Sequence, residues 1–367
     1  MGQIKVGIIG MGQMGNFHAG FLKELPQLFR LTAIFNPTPK ALEPFRETAQ
    51  CFTDSEQFFN EADIDAVMVS TIHFFHHSFA IEALKHGKHV LIEKPLSVHK
   101  ALAQQLIDEI NAHPELRCGV MFNMRTRQIN MKIKQLIDSG ELGDIQRFSW
   151  TVTDWFRNQA YYNSSAWRAT WKGEGGGVLM NQCPHQLDLL QWFFGMPTRI
   201  FAHADFGKFH NIEVEDCVTA FMQFANGATG VFITSTGEAP GTNRLEIVGD
   251  RGRLVCENGK LTFDRTEGSV KEFIETCPQR DGKIGCWHAE IPIDASKDGN
   301  YITLWSNFYD SITKGEPLLV PAVEGINAVE LSNAMLLSTW QDKAVDLPID
   351  AALFESLLNE RIAQSRK

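Results

Sequence analysis

A chain of 367 residues, 44% hydrophobic and 21% charged, is long enough for two domains and too apolar to be disordered. Its 34 basic and 44 acidic residues give a net charge of −10, with no basic run to follow a phosphate backbone, which argues against a nucleic-acid partner. No stretch approaches the ~20 apolar residues of a membrane span. The 7 cysteines lack a CxxC pair, and the N-terminus runs straight into a strand-like segment, so a cytoplasmic protein without a disulfide framework or zinc ribbon is expected.

From the N-terminus, short β-branched runs alternate with segments of helical period. Strands are predicted at 4–9, 31–35, 65–70, 89–92 and 117–122, with helices at 13–25, 39–50, 75–87 and 98–112. Such alternation implies right-handed crossovers and a mostly parallel, doubly wound sheet, a Rossmann domain over 1–123. From 124 the pattern changes. A helix at 131–139 precedes strands at 145–155, 199–206, 218–224, 228–235, 244–248, 253–256 and 260–264, several joined by turn pairs such as Asn258-Gly259. One helix, 178–194, interrupts them, and 301–314, 324–344 and 351–365 close the chain. The fold class is therefore α/β, with a second domain over 124–367 that is α+β and built on a large, mostly antiparallel open sheet. Helices cover only part of that sheet, so a homodimer or homotetramer through its free face is expected.

Gly10-Met11-Gly12-Gln13-Met14-Gly15 is GxGxxG between a predicted strand and a predicted helix. The first glycine allows the tight turn, the second lets a pyrophosphate approach the backbone, and the third lets the helix pack on its strand. At the end of the second strand, where NAD enzymes usually carry an acid, stand Asn36, Thr38 and Lys40. No carboxylate there repels a 2′-phosphate and all three can donate to one, so the cofactor is written NAD(P), with a lean toward NADP. Ser70, Thr71 and His73 end the next strand over the same cofactor.

Glu93-Lys94-Pro95 follows directly on the strand 89–92, and ligands of a doubly wound sheet bind outside its carboxyl ends, so Glu93 and Lys94 are expected at the nicotinamide. Asn123 and Arg125 follow the last strand at the same edge. In the second domain a triple glycine leads to Asn181, His185 and Asp188, whose spacing puts them on one face of a helix. That stripe reads as a site, as a satisfied core network or as a solvated face. Before it, Arg168 lies among aromatic residues that suit a carbohydrate or simple packing. Neither HExxH nor CxxC occurs among the 12 histidines and 7 cysteines, and no metal is expected.

Together these residues resemble the Gfo/Idh/MocA family of glucose–fructose oxidoreductase and inositol dehydrogenase, over essentially the whole chain. The resemblance rests on GxGxxG with His18 after it, on the run into Glu93-Lys94-Pro95, and on the triple glycine leading to His185 and Asp188. Asn307-Phe308 and Gly315-Glu316-Pro317-Leu318 add to it. It implies an NAD(P)-dependent oxidoreductase on sugars, cyclitols or polyols, with a polyol or keto-sugar as the small-molecule partner. Lys94 would hydrogen-bond the reacting oxygen and His185 would be the general acid/base. Many polyol dehydrogenases of the family have Asp where this chain has Asn181. An amide takes no proton, so Asn181 could only orient, and Asp188 would orient or anchor the helix. The chemistry agrees: oxidation of a secondary alcohol leaves a proton, which an imidazole of ordinary pKa near 6.5 accepts while Lys94 stabilises the oxygen. The oxidation rate should then rise with pH through the His185 pKa. An NAD-retaining glycosidase using transient oxidation and a nucleotide-dependent sensor are the rival readings. The first lacks its His/Tyr motif here, and the second would not need the Lys94–His185 pair.

Overall fold

The computed structural model describes residues 2–365. Its first half follows the alternation: β1 (Ile4–Ile9), α1 (Gln13–Glu24), β2 (Phe29–Phe35), β3 (Gln50–Phe52), α2 (Ser55–Glu61), β4 (Ala66–Val69), α3 (His76–Lys85), β5 (His89–Ile92), α4 (Lys100–Ala112) and β6 (Cys118–Val120). The strands pair in parallel in the order β3-β2-β1-β4-β5-β6. All four residues of β4 are fully buried, as a strand covered by helices on both faces must be. On α1, Gly15, His18, Ala19 and Leu22 make the buried stripe at helical spacing. The chain reverses direction across the sheet between β1 and β4, the switch point where such folds take their ligands.

The second half runs α5 (Gln128–Asp138), β7 (Ile145–Val152), three short helices α6 (Gln159–Tyr162), α7 (Trp171–Glu174) and α8 (Val178–Asn181), then α9 (Pro184–Phe194). Next come β8 (Arg199–Phe206), β9 (Glu215–Gln223), β10 (Thr229–Ser235), β11 (Asn243–Gly249), β12 (Gly252–Glu257), β13 (Lys260–Thr266), α10 (Val270–Thr276) and β14 (Cys286–Ile291). The chain closes on α11 (Tyr301–Lys314), α12 (Gly325–Gln341), β15 (Val345–Asp346) and α13 (Ala351–Ala363). The nine strands form one sheet, β14-β13-β12-β11-β7-β10-β9-β8-β15. Only the β7–β10 pairing is parallel. Asn258 and Gly259, at φ 51 and 74, make the left-handed turn that joins β12 to β13. After α10 and β14 the chain returns to the first sheet. Val120 N–H donates to Val320 O at 3.1 Å, and the Trp305 ring lies edge-on to Phe29 at 5.1 Å. Among the described residues no helix is long and apolar enough to cross a membrane, and all seven cysteines are free.

Two predicted helices are corrected. The stretch 39–50 is a 3-10 turn at Pro39–Phe45 followed by β3, because Pro44 lacks the N–H an α-helix needs. The helix 178–194 is two helices. Pro184 opens α9 at its first turn, where its missing N–H is harmless, and disfavours helix at Cys183 before it. Asn181 therefore ends one helix while His185 and Asp188 lie on the next, and the single three-residue face does not exist.

Candidate active site

The turn after β1 places Gly10 at φ 92, where a Cβ would stand 2.8 Å from Ser70 O. A Cβ on Gly15 would stand 2.0 Å from Gly10 O, so α1 touches the turn itself. Gly12 is the opposite case: a Cβ there would meet nothing within 4 Å, and no side chain caps α1. Backbone N–H groups at the positive end of a helix dipole thus face open space, with Gln13 and Met14 in its first turn. Ser70 holds the turn from behind, its Oγ donating to Gly10 O at 2.8 Å. Asn36 braces it from the side: Oδ1 accepts Met11 N–H at 3.0 Å and Nδ2 donates to Thr38 O at 3.2 Å. Asn36 is thus mainly a tie between loops. Thr38 and Lys40 are the exposed groups at that end of β2, while Thr71 donates locally to Ile72 O at 3.1 Å.

At the end of β5, Glu93 is buried and Lys94 half-buried. Glu93 Oε1 lies 2.7 Å from His18 Nε2, and Glu93 Oε2 accepts the Lys94 backbone N–H at 3.1 Å. Trp305 Nε1 donates to His18 Nδ1 at 3.2 Å. Indole has only a donor, so Nδ1 accepts and the ring proton on Nε2 goes to Glu93. Burial pushes the Glu93 carboxyl up, but the His18 hydrogen bond and the Lys94 charge outweigh it and hold it below the usual range. Burial also lowers the Lys94 pKa, against the pull of Glu93 and Glu174. The Lys94 ammonium crosses to the second domain and donates to Asn181 O at 2.9 Å.

Around that contact the second domain gathers polar groups. Asn181 Nδ2 donates to Glu174 Oε1, and Arg168 Nη1 lies 3.7 Å from the same carboxylate. The Arg168 guanidinium stacks on the Tyr161 and Trp167 rings at 4.4 and 4.8 Å, and donates to Tyr161 Oη at 2.6 Å. His73 Nδ1 reaches the Glu174 carbonyl at 3.3 Å, and burial holds its imidazole neutral, its pKa far below the usual value. The His185 ring packs edge-on to Phe122 at 5.8 Å, its Nδ1 buried with no partner. Burial, and then the Lys94 charge, push its pKa down to about 3. Asp188 and Arg125 face each other instead of the site: Arg125 Nη2 and Nε donate to Asp188 at 2.6 and 2.8 Å, and Nη1 reaches Glu324 at 2.5 Å. Asn123 remains half-buried at the carboxyl edge of the first sheet. Sequence pattern alone does not single out Glu174 or Trp305. A carboxylate directly before the triple glycine was the available signal for the first. Trp305 gave none beyond helical period. No cluster of metal-ligating side chains occurs among the described residues.

A dinucleotide fits this half of the molecule, because the open Gly12 face and the uncapped α1 take a pyrophosphate at the switch point. That defines the class as dinucleotide-binding proteins of the Rossmann type. Two family profiles match the chain: the oxidoreductase family NAD-binding Rossmann fold over residues 4–122, and the GFO/IDH/MocA C-terminal domain over residues 130–255. The chain belongs to the Gfo/Idh/MocA family. It is 24% identical to a myo-inositol 2-dehydrogenase of Thermotoga maritima, covering 94% of this chain and 98% of that one. It is also 24% identical to the scyllo-inositol 2-dehydrogenase (NADP(+)) IolW of Bacillus subtilis, over 94% and 96%. Among solved structures, the WlbA dehydrogenase of Chromobacterium violaceum, in complex with NADH and UDP-GlcNAcA, superposes with a TM-score of 0.82 at 24% identity. That match covers 95% of this chain and 97% of the other.

Proposed function

We propose that the protein transfers hydride between NAD(P) and a secondary alcohol or ketone of a sugar, cyclitol or related polyol. The observation that carries this reading is the meeting of Lys94 with Asn181, across two domains, at the carboxyl end of the parallel sheet, with the buried His185 near enough for the Lys94 charge to lower its pKa. The inositol dehydrogenases among its relatives support the substrate class. When bound, the nicotinamide supplies the hydride acceptor or donor. The Lys94 ammonium meets the reacting oxygen and stabilises the charge that builds there as its proton leaves. His185, which burial and the Lys94 charge hold toward its neutral form, takes that proton at Nε2, since Nδ1 is sealed in protein. Asn181, Arg168 and Asn123 bind and orient the substrate, while Arg125 and Asp188 fix α9 and do not touch it. The exposed Thr38 and Lys40, with no carboxylate beside them, support acceptance of NADP at least as readily as NAD. Seven free cysteines support a reducing compartment such as the cytoplasm, and a second copy would cover the open face of the nine-stranded sheet.

The test offers myo-inositol, scyllo-inositol, levoglucosan and D-glucose with NAD⁺ and with NADP⁺, following nicotinamide absorbance. At least one polyol should reduce NADP⁺. Lys94→Met and His185→Ala should each slow that reaction roughly 10²–10⁴-fold, the usual worth of a positioned proton-transfer or electrostatic group. The pH profile tests the expectation of an acid limb from His185. With His185 pushed down to about 3, the oxidation rate should show no acid limb from imidazole above pH 5. A limb near the ordinary imidazole pKa of about 6.5, abolished by His185→Ala, would contradict the buried neutral ring. Near-normal turnover in His185→Ala would instead make Lys94, with its lowered pKa, the base. Failure of every polyol with both nucleotides would remove the reading.

A further inference from the structure

One buried carboxylate has no part in that chemistry. Glu174 ends α7 and is 1% exposed. At that depth a carboxylate is tolerated only if its oxygens are met. They are met entirely by groups around the Lys94–Asn181 contact. Oε2 accepts the Ala169 N–H at 2.5 Å, and Oε1 accepts the Asn181 Nδ2 and faces the Arg168 guanidinium at 3.7 Å. Ala169 stands at φ 55, a left-handed conformation that costs an L-residue about 1–3 kcal/mol. The bond to Glu174 thus holds the backbone just after Arg168 in a shape it would not choose. The loop has no slack, since a Cβ on Gly173 would lie 2.0 Å from Trp167 O.

A carboxylate accepts hydrogen bonds and donates none. Asn181 must therefore turn its NH₂ to Glu174, which turns Oδ1 the other way. Among the described residues Oδ1 takes no partner, and Asn181 is half-buried at the edge of the site. The Lys94 ammonium sits on the backbone carbonyl of the same residue. A donor for the reacting oxygen and an acceptor of fixed polarity thus stand one short side chain apart. A glutamine at 174 would present either end of its amide and leave the Asn181 orientation open.

We propose that Glu174 is the positioning residue of the substrate pocket, holding the Asn181 carboxamide with its carbonyl outward beside Lys94, so that the site selects a substrate whose neighbouring carbon carries a hydrogen-bond-donating hydroxyl. The favoured class is the vicinal diol or its α-hydroxy ketone, over a carbinol flanked by an ether or a bare methylene. This rests on the assignment of Lys94 to the reacting oxygen. Glu174 sets the polarity only while ionised. Burial raises its carboxyl pKa against the Ala169, Arg168, Asn181 and Lys94 contacts, and the Glu215 carboxylate and the neutral His73 lie nearby. On protonation the carboxyl gains a donor and the amide is free to turn.

Two arms test the proposal separately from the reaction. In ¹⁵N-labelled protein saturated with NADPH, the Asn181 carboxamide is assigned by its disappearance in Asn181→Ala. Its NH₂ protons should lie downfield, should shift as pH is lowered through the Glu174 titration, and should lose both properties in Glu174→Gln. In the kinetic arm, with myo-inositol, Glu174→Gln should raise KM about tenfold, the worth of one hydrogen bond, and change kcat by less than about threefold. The double variant Glu174→Gln/Asn181→Asp puts an amide donor behind and a carboxylate acceptor in front. It should bring KM back to within about threefold of the parent, as expected for a coupled pair. A merely structural Glu174 would lower thermal stability in the single variant and gain nothing from the double. An Asn181 resonance indifferent to Glu174→Gln, or a KM the double variant does not restore, overturns the proposal. If myo-inositol is not oxidised at all, the substrate reading fails while the resonance arm still decides the role of Glu174.

Discussion

Lys94 owes its setting to a line of side chains that starts in another part of the chain. Trp305 on α11 donates to His18 on α1, His18 donates to Glu93, and Glu93 holds the backbone of Lys94. Each link has one chemically allowed direction, because indole only donates and a carboxylate only accepts. The line therefore fixes the tautomer of His18 and keeps a negative charge beside the lysine. His18→Leu should leave Glu93 Oε1 and the buried indole N–H without partners and cost about 3–5 kcal/mol. Trp305→Phe orphans only an imidazole nitrogen and should cost less, about 1–3 kcal/mol. Urea unfolding of the two variants measures both. A His18→Leu protein as stable as the parent would show that the Glu93 charge is met in another way. Lys94 was legible in the sequence because Glu93-Lys94-Pro95 ends a strand that periodicity identifies. The line behind it was not, since nothing local to 305 marks a tryptophan that will meet a histidine from the first helix.

The turn from β1 into α1 carries two glycines with opposite duties. Gly15 is needed by the fold, its missing Cβ making room for Gly10 O at 2.0 Å. Gly12 answers no need of the fold, since a Cβ there touches no protein atom, and is expected to serve the ligand alone. Gly12→Ala should therefore leave urea stability within about 1 kcal/mol and yet weaken NADPH binding at least tenfold, read by fluorescence titration. Gly15→Ala should lose about 1–3 kcal/mol as well, the ordinary penalty of overpacking. Equal NADPH affinity for Gly12→Ala and the parent would move the pyrophosphate away from this turn. The same distinction between local and distant causes explains what was readable among the elements. Strands β1, β2, β4 and β5 are largely apolar runs and helices α1, α3 and α4 have an amphipathic period of their own. Pro44 and Pro184 broke two predicted helices for a local reason that was available in the sequence and outweighed by periodicity. β3, with three residues, and α2, with seven, are too short to show a period, and β14 is exposed at nearly every position, so no alternation marks it.

The nine-stranded sheet presents a different problem from the parallel one, because helices cover a single face. Along β8 and β9, Ile200, Ala202, Ala204, Val218, Ala220 and Met222 point inward and are buried. Their outward neighbours are not. Phe201 and Phe221 stand directly opposite each other on adjacent strands, 47% and 40% exposed, and Val231 on β10 continues the row at the same register. Toward β11 and β12 the same face turns polar, with Arg147 paired to Glu246 at 2.7 Å and Arg244 to Glu257 at 2.8 Å. An apolar centre with a charged border is the anatomy of a protein interface, and an apolar row of this kind is costly to leave in water. We propose a second copy as the occupant, since a two-fold axis through the row would bring the same patch to both sides. Light scattering should then give a mass of two or four times 41.3 kDa. Phe221 lies in the middle of the row, so Phe221→Lys would place a charge on each side of the axis and leave both unpaired in the contact. The variant should scatter at the mass of one chain while its far-UV circular dichroism stays that of the parent, because the substituted side chain points away from the core. A parent protein that already scatters as one chain would leave this face to water and refute the assembly.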